Sequence, residues 1–147
     1  MSKKLKIGYT TGVFDMFHIG HLNILRNAKL ECDYLIVGIT SDELSKSEKN
    51  VEPIIPFNER MAIVESIKYV DMVVPQTSYD KIAAWNDLRF NIMFVGDDWK
   101  GTPKWKKLEK EFSELGVRIH YFQYTKHTSS TKLRKVVDDI LSVKSKE

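Results

Sequence analysis

Cysteine is nearly missing from this sequence: Cys32 stands alone among 147 residues. A disulfide framework is thereby excluded, and with no signal peptide in view the chain is expected in a reducing cytoplasm. The neighbours of Cys32 in "ECDYLIV" point to a small buried side chain rather than a nucleophile. Long apolar runs are missing too. None approaches the ~20 residues that a membrane span needs, so no membrane insertion is expected. Charge of one sign is equally scarce, with 23 Lys and Arg against 20 Asp and Glu and a net charge of +3. The lysine run Lys104, Lys106, Lys107 and Lys110 alternates with Glu109 and Glu111. That pattern reads as a solvated helix face, and no nucleic-acid partner is expected. Nor is there a repeat, a low-complexity linker or a shift in composition. One domain over residues 1–147 is expected, with 142–147 as a flexible tail.

What is present is enough apolar material, 42% of residues, for a real core. It comes as short apolar runs alternating with amphipathic stretches, the signature of an α/β domain. Strands are expected near Leu5 to Val13, Asp33 to Thr40, Val70 to Pro75, Ile92 to Gly96 and Val117 to Tyr124. They are largely unalternating, as parallel strands buried on both faces should be. Helices are expected at His21 to Glu31, Phe57 to Tyr69, Tyr79 to Leu88, Lys104 to Leu115 and Ser130 to Leu141. Pro56 fits a helix start and Gly116 a helix stop. The stretch from Ser41 to Pro56, with Lys46, Lys49 and two prolines, reads as the one long irregular loop, and such loops often serve as binding segments.

In an open parallel sheet, ligands bind where the strands end at their carboxyl termini. The residues there are Gly12, Asp15, His18 and His21 after the first run, and Ser41 and Asp42 after the second. After the fourth come Gly96, Asp97, Asp98 and Trp99, and after the fifth Thr125, Lys126, Ser129, Ser130 and Thr131. In "TTGVFDMFHIGH" two histidines flank Gly20 at the mouth of a helix. Free N–H groups and the positive dipole end favour an anion such as a phosphate there. Imidazole N–H groups aimed at a nucleotide α-phosphate would stabilise the charge that grows as the bond to pyrophosphate breaks. A zinc site would space its histidines i and i+4 around a glutamate, which this stretch does not.

"GVFDMFHIGH", "SIKYVDMVV", "VGDDWKG" and "TSSTKL" occur in that order. Together they resemble the motifs of the cytidylyltransferases of the H-x-G-H nucleotidyltransferase superfamily, closest to the glycerol-3-phosphate cytidylyltransferase group. The resemblance runs from about Lys6 to Val137. It implies a Rossmann-like, doubly wound sheet of five parallel strands with helices on both faces. It also implies cytidylyl transfer from CTP to a small phosphorylated alcohol, most simply glycerol 3-phosphate. CDP-glycerol and pyrophosphate are the products, and a surface or capsular polymer the destination. His18 and His21 would be catalytic, joined by Lys49 or Lys46. Thr11, Gly12, Val13, Phe14, Asp15, Gly20, Asp42, Arg60, Gly96, Asp98, Thr128, Ser129, Ser130 and Thr131 would bind the nucleotide. Lys68, Trp99, Tyr124 and Lys126 would meet the acceptor. Asp98 would hold Mg²⁺, and the family is commonly homodimeric.

The chain departs from the family where R-T-E-G usually precedes the closing hydroxyl stretch; here Tyr124, Thr125, Lys126 and His127 stand in its place. Lys126 offers a charge but not a bidentate fork. Other acceptors therefore stay open: glycerol 2-phosphate, ribitol phosphate, phosphocholine and phosphoethanolamine. So do an ATP-using adenylyltransferase and a non-catalytic nucleotide-binding protein.

Overall fold

Five parallel strands in the order β3-β2-β1-β4-β5 form the centre of the molecule. They are β1 (Ile7–Gly12), β2 (Tyr34–Thr40), β3 (Met72–Gln76), β4 (Ile92–Gly96) and β5 (Arg118–Phe122). The computed structural model describes residues 5–123 and 130–145, without the side chains of 48, 49, 130, 131 and 143–145. Helices α1 (Ile19–Leu30), α2 (Asp42–Lys49), α3 (Phe57–Glu65), α4 (Lys81–Leu88), α5 (Pro103–Glu114) and α6 (Ser130–Ser145) connect or follow the strands. A short 3₁₀ turn spans Asp97–Trp99. No described helix is long and apolar enough to cross a membrane.

Apolar residues on both sides of each strand create two cores. Leu35, Val37 and Ile39 of β2 join Leu25, Ala28, Val64, Ile92 and Phe94 on one face of the sheet. Ile36 points the other way and meets Tyr9, Phe90, Met93, Trp105, Leu108 and Phe112. This two-sided burial is why the strands read as apolar runs without alternation. Because β1 pairs with β2 on one side and β4 on the other, the strand order reverses between β1 and β4. A crevice opens there, at the carboxyl ends of the strands.

The expected strands and helices are all present, with ends shifted by a few residues. The region from Ser41 to Pro56 is a correction: it holds α2 rather than one irregular loop. Ser41 caps this helix by accepting from the Leu44 N–H at 3.1 Å, and Asp42 and Glu43 sit in its first turn. Asn50, at φ 53°, closes it in the left-handed conformation. Capping and dipole complementarity carry this helix, since Leu44 is its one apolar residue. Gly116 does stop α5, at φ +78°. At the sheet's edge, Pro75 of β3 lies opposite Ile39, and Gln76 accepts from the Ser41 N–H at 3.0 Å. Cys32 is half-buried and donates to the Ala28 carbonyl, and burial raises its thiol pKa.

Candidate functional site

A cavity of about 710 Å³ lies over the carboxyl ends of the strands. Its floor is the end of β1 and the loop after it, where Thr11, Gly12, Val13, Phe14 and Asp15 all line the space. Phe14 and Met16 both hold φ near +50°, a costly conformation that survives only where surrounding contacts enforce it. A Cβ on Gly12 would come within 2.8 Å of the Phe14 ring, so the loop folds tightly back over a residue that must be small.

The two histidines cap α1 reciprocally. The His18 ring accepts from the Gly20 N–H at Nδ1, 3.0 Å, while the His21 ring accepts from the His18 N–H at Nδ1, 3.2 Å. Their ring centroids are 4.0 Å apart. With Nδ1 committed as an acceptor in both, a neutral imidazole carries its proton on Nε2, so each ring presents an Nε2–H donor. Burial lowers the pKa of His18, and it lowers that of His21 to about 4. Repulsion from His18 adds to the second shift and Asp15 partly opposes it. At neutral pH both rings are therefore uncharged donors. His21 lines the cavity and His18 lies directly beside it. The Gly20 N–H, expected to face an anion, is instead taken by His18.

Asp15 is buried, with 6% of its surface exposed, and both its oxygens accept backbone N–H groups: Ile54 at 2.8 Å and Ile55 at 2.9 Å. It thereby anchors the segment after α2, from which Val51 and Pro53 line the cavity. Arg60 holds the same segment from below. Its side chain is fully buried and donates from Nε to the Ile55 carbonyl at 2.9 Å. Nη1 donates to the Val13 and Thr40 carbonyls, each at 2.7 Å, and Nη2 pairs with Asp42. The other Asp42 oxygen accepts from the Phe57 N–H. Arg60 and Asp42 therefore brace the ends of β1 and β2 from behind, and neither lines the cavity.

Of the other expected residues, Gly96 and Trp99 line the cavity. Asp98 is exposed on the turn between them. Lys46 is exposed on α2, and the backbone of Lys49 ends the same helix, so the two lysines sit on a helix rather than a loop. Lys68 lies beyond α3 with its ammonium over the Tyr69 ring, away from the cavity. Tyr124, Lys126, Thr128 and Ser129 fall outside the described residues, as do the side chains of Ser130 and Thr131 at the start of α6.

The cavity also has walls that the sequence reading passed over. Gln76 ends β3, Tyr79 and Lys81 follow it, and Lys104 and Arg134 come from α5 and α6. Lys81 donates to the Thr11 hydroxyl at 3.1 Å, and Thr40 donates to Gln76 at 2.8 Å. The rule that ligands bind at the carboxyl ends of the strands, applied to the third strand, points to the first three. Lys104 is exposed, as the solvated-face reading of its lysine run expects, and it also borders the cavity. Among the described residues no three His, Cys, Asp or Glu side chains cluster to hold a metal.

Residues 9–136 match the family model described as cytidylyltransferase-like. The glycerol-3-phosphate cytidylyltransferase of Bacillus spizizenii is 36% identical over 129 residues, covering 86% of this chain and 92% of that protein. That of Bacillus subtilis is 32% identical over 129 residues, covering 87% and 94%. Among solved structures, the lipopolysaccharide core biosynthesis protein from Thermoplasma volcanium superposes with a TM-score of 0.70 at 25% identity. The match covers 85% of this chain and 100% of that one.

Proposed function

Since the chain belongs to the cytidylyltransferase-like family, we propose that it transfers the cytidylyl group of CTP to the phosphate of glycerol 3-phosphate, releasing pyrophosphate. Two relatives bearing that activity in their names, matched over more than nine-tenths of their length, support the acceptor. The observation that carries the chemistry is the reciprocal histidine cap beside the cavity.

The acceptor's phosphate oxygen attacks the α-phosphorus in line as the bond to the β-phosphate oxygen breaks. That oxygen is already an anion, so no general base is required. Catalysis rests on positioning and charge stabilisation. His18 and His21 meet the second need as neutral Nε2–H donors, fixed by their own Nδ1 contacts before substrate arrives. Asp15 and Arg60 hold the cavity walls in place.

A Mg²⁺ ion fits the donor set, because Mg²⁺ usually takes one or two carboxylates and completes its shell with phosphates and water. Asp98 is exposed between the cavity residues Gly96 and Trp99 and would hold it. When bound, the ion neutralises triphosphate charge. We further propose a cytoplasmic homodimer, on the resemblance stated above.

The test is pyrophosphate release from CTP and Mg²⁺ with glycerol 3-phosphate, glycerol 2-phosphate, ribitol 5-phosphate, phosphocholine or phosphoethanolamine, and with ATP in place of CTP. Turnover on CTP and glycerol 3-phosphate is expected. Turnover only on another acceptor refutes the acceptor assigned here, and turnover only with ATP refutes the cytidylyl reading.

A further inference from the structure

The cavity straddles the carboxyl edge of the sheet, and the two faces of the sheet give it two unlike ends. Leu35, Val37 and Ile39 of β2 pack with Leu25 and Ala28 of α1, the helix that brings His21 and Ile24 to the cavity on that side. Side chains alternate along a strand, so Thr40 faces the other way, with Ile36. Its register partner Gln76 shares that face, as does Thr11, the partner of Gly38. Gln76 is only 5% exposed and Thr40 only 2%, yet both line the cavity. The Thr40 hydroxyl donates to Gln76 Oε1 at 2.8 Å and so orients the amide. The amide nitrogen has no hydrogen-bond partner among the described residues, which leaves its two N–H groups for an occupant of the cavity.

We propose that Gln76 reads a hydroxyl group on the carbon skeleton of the acceptor and so makes the site selective for polyol phosphates. The proposal rests on the cytidylyl-transfer reading above. In-line displacement puts the acceptor and the leaving group on opposite sides of the α-phosphorus. With the histidines at the α1 end, the tail of the acceptor falls to the face that carries Gln76. The charges around that amide decide what it can read. Asp15 is the carboxylate among the described lining residues, and both its oxygens accept backbone N–H groups, while Lys81 stands on the Gln76 face with its ammonium on the Thr11 hydroxyl. An ammonium head group therefore meets a like charge there. An apolar tail leaves the amide donors unpaired, whereas a hydroxyl satisfies them. Thr40 is a positioning residue, acting through the amide that it orients.

Steady-state kinetics of wild type, Gln76→Met and Thr40→Val with glycerol 3-phosphate and with n-propyl phosphate, which has the same chain without hydroxyls, test this. Calorimetric titration of both phosphates into protein saturated with a CTP analogue, methylene-bridged between the α- and β-phosphorus, reads binding without turnover. Wild type should prefer glycerol 3-phosphate by roughly 10- to 100-fold in kcat/KM and in affinity. Methionine keeps the length of the side chain without its N–H groups, so Gln76→Met should cut that preference roughly tenfold by weakening glycerol 3-phosphate alone. Its KM for CTP and its affinity for propyl phosphate should stay near wild type. Thr40→Val releases the amide and should lose part of the preference. An unchanged preference in Gln76→Met overturns the proposal, as does a loss that falls equally on both phosphates or a wild type that does not tell them apart. If Gln76→Met does not fold, an unchanged preference in Thr40→Val overturns it. The two readings fail separately. Wild type that binds glycerol 3-phosphate through Gln76 yet transfers no cytidylyl group refutes the activity alone, whereas active wild type with an indifferent Gln76→Met variant refutes the assignment of Gln76 alone.

Discussion

Replacing Arg60 with methionine separates two roles for a basic residue near a phosphate site. The side chain is fully buried and donates to the carbonyls of Ile55, Val13 and Thr40 and to Asp42. Methionine fills much of the volume and leaves three carbonyls without that donor. Each buried unsatisfied polar group costs about 1–3 kcal/mol, and partial relaxation brings the expected total to about 3–5 kcal/mol. Asp42 is partly exposed and rehydrates, so it adds little. For a domain of this size that loss lowers the melting temperature by about 10–16 °C. Urea denaturation at pH 7 measures it, and CTP titration of the folded fraction supplies the second reading. Affinity should fall only through the loosened walls at Val13 and Ile55. If Arg60→Met melts within about 3 °C of wild type while CTP binding drops a hundredfold, the guanidinium touches the nucleotide and the bracing argument is wrong.

Three further outcomes follow from the site. Substituting His18 or His21 with alanine should lower kcat by roughly 10²–10³, as loss of a preorganised donor does, while costing only about 1 kcal/mol through the lost cap; near-normal kcat in both would remove the histidines from the mechanism. The folded pKa of His21 is about 4 against 6.5 when unfolded, so below pH 6.5 the unfolded state takes up a proton that the folded state refuses. Stability should therefore fall between pH 6.5 and 4, by at most about 3 kcal/mol from this group, and denaturation curves for His21→Asn should be flatter across that window. Parallel pH profiles for the two proteins would refute the burial argument. Finally, Lys81→Met should raise KM for an anionic substrate by roughly tenfold by removing a cation that lines the cavity, and unchanged KM values for both substrates would make Lys81 a structural partner of Thr11 only.

The strands were legible because two-sided burial leaves an apolar run that no surface element shows, as in "YLIVGIT". Helix α2 was not, because it rests on Ser41, an acidic first turn and Asn50 rather than on apolar periodicity. The loop around His18 and His21 could be found because its residues are close in sequence and follow a strand directly. Arg60 shows the opposite case. The resemblance offers it as a nucleotide ligand, whereas its burial depends on carbonyls 47 and 20 residues away that no local pattern reveals. Gln76, Tyr79 and Lys81 were within reach of the same strand-end rule and needed only its application to β3.

Pro75 has a consequence for how the molecule meets other copies of itself. Gln76 turns its carbonyl toward β2, so the backbone of its neighbour Pro75 faces the open side of the sheet. A ring nitrogen stands there where any other residue would offer an N–H. A sixth strand pairing at that edge would find a donor missing at the fourth residue of a five-residue strand. Strand addition on the β3 side is disfavoured by this proline without a single charged residue in the strand.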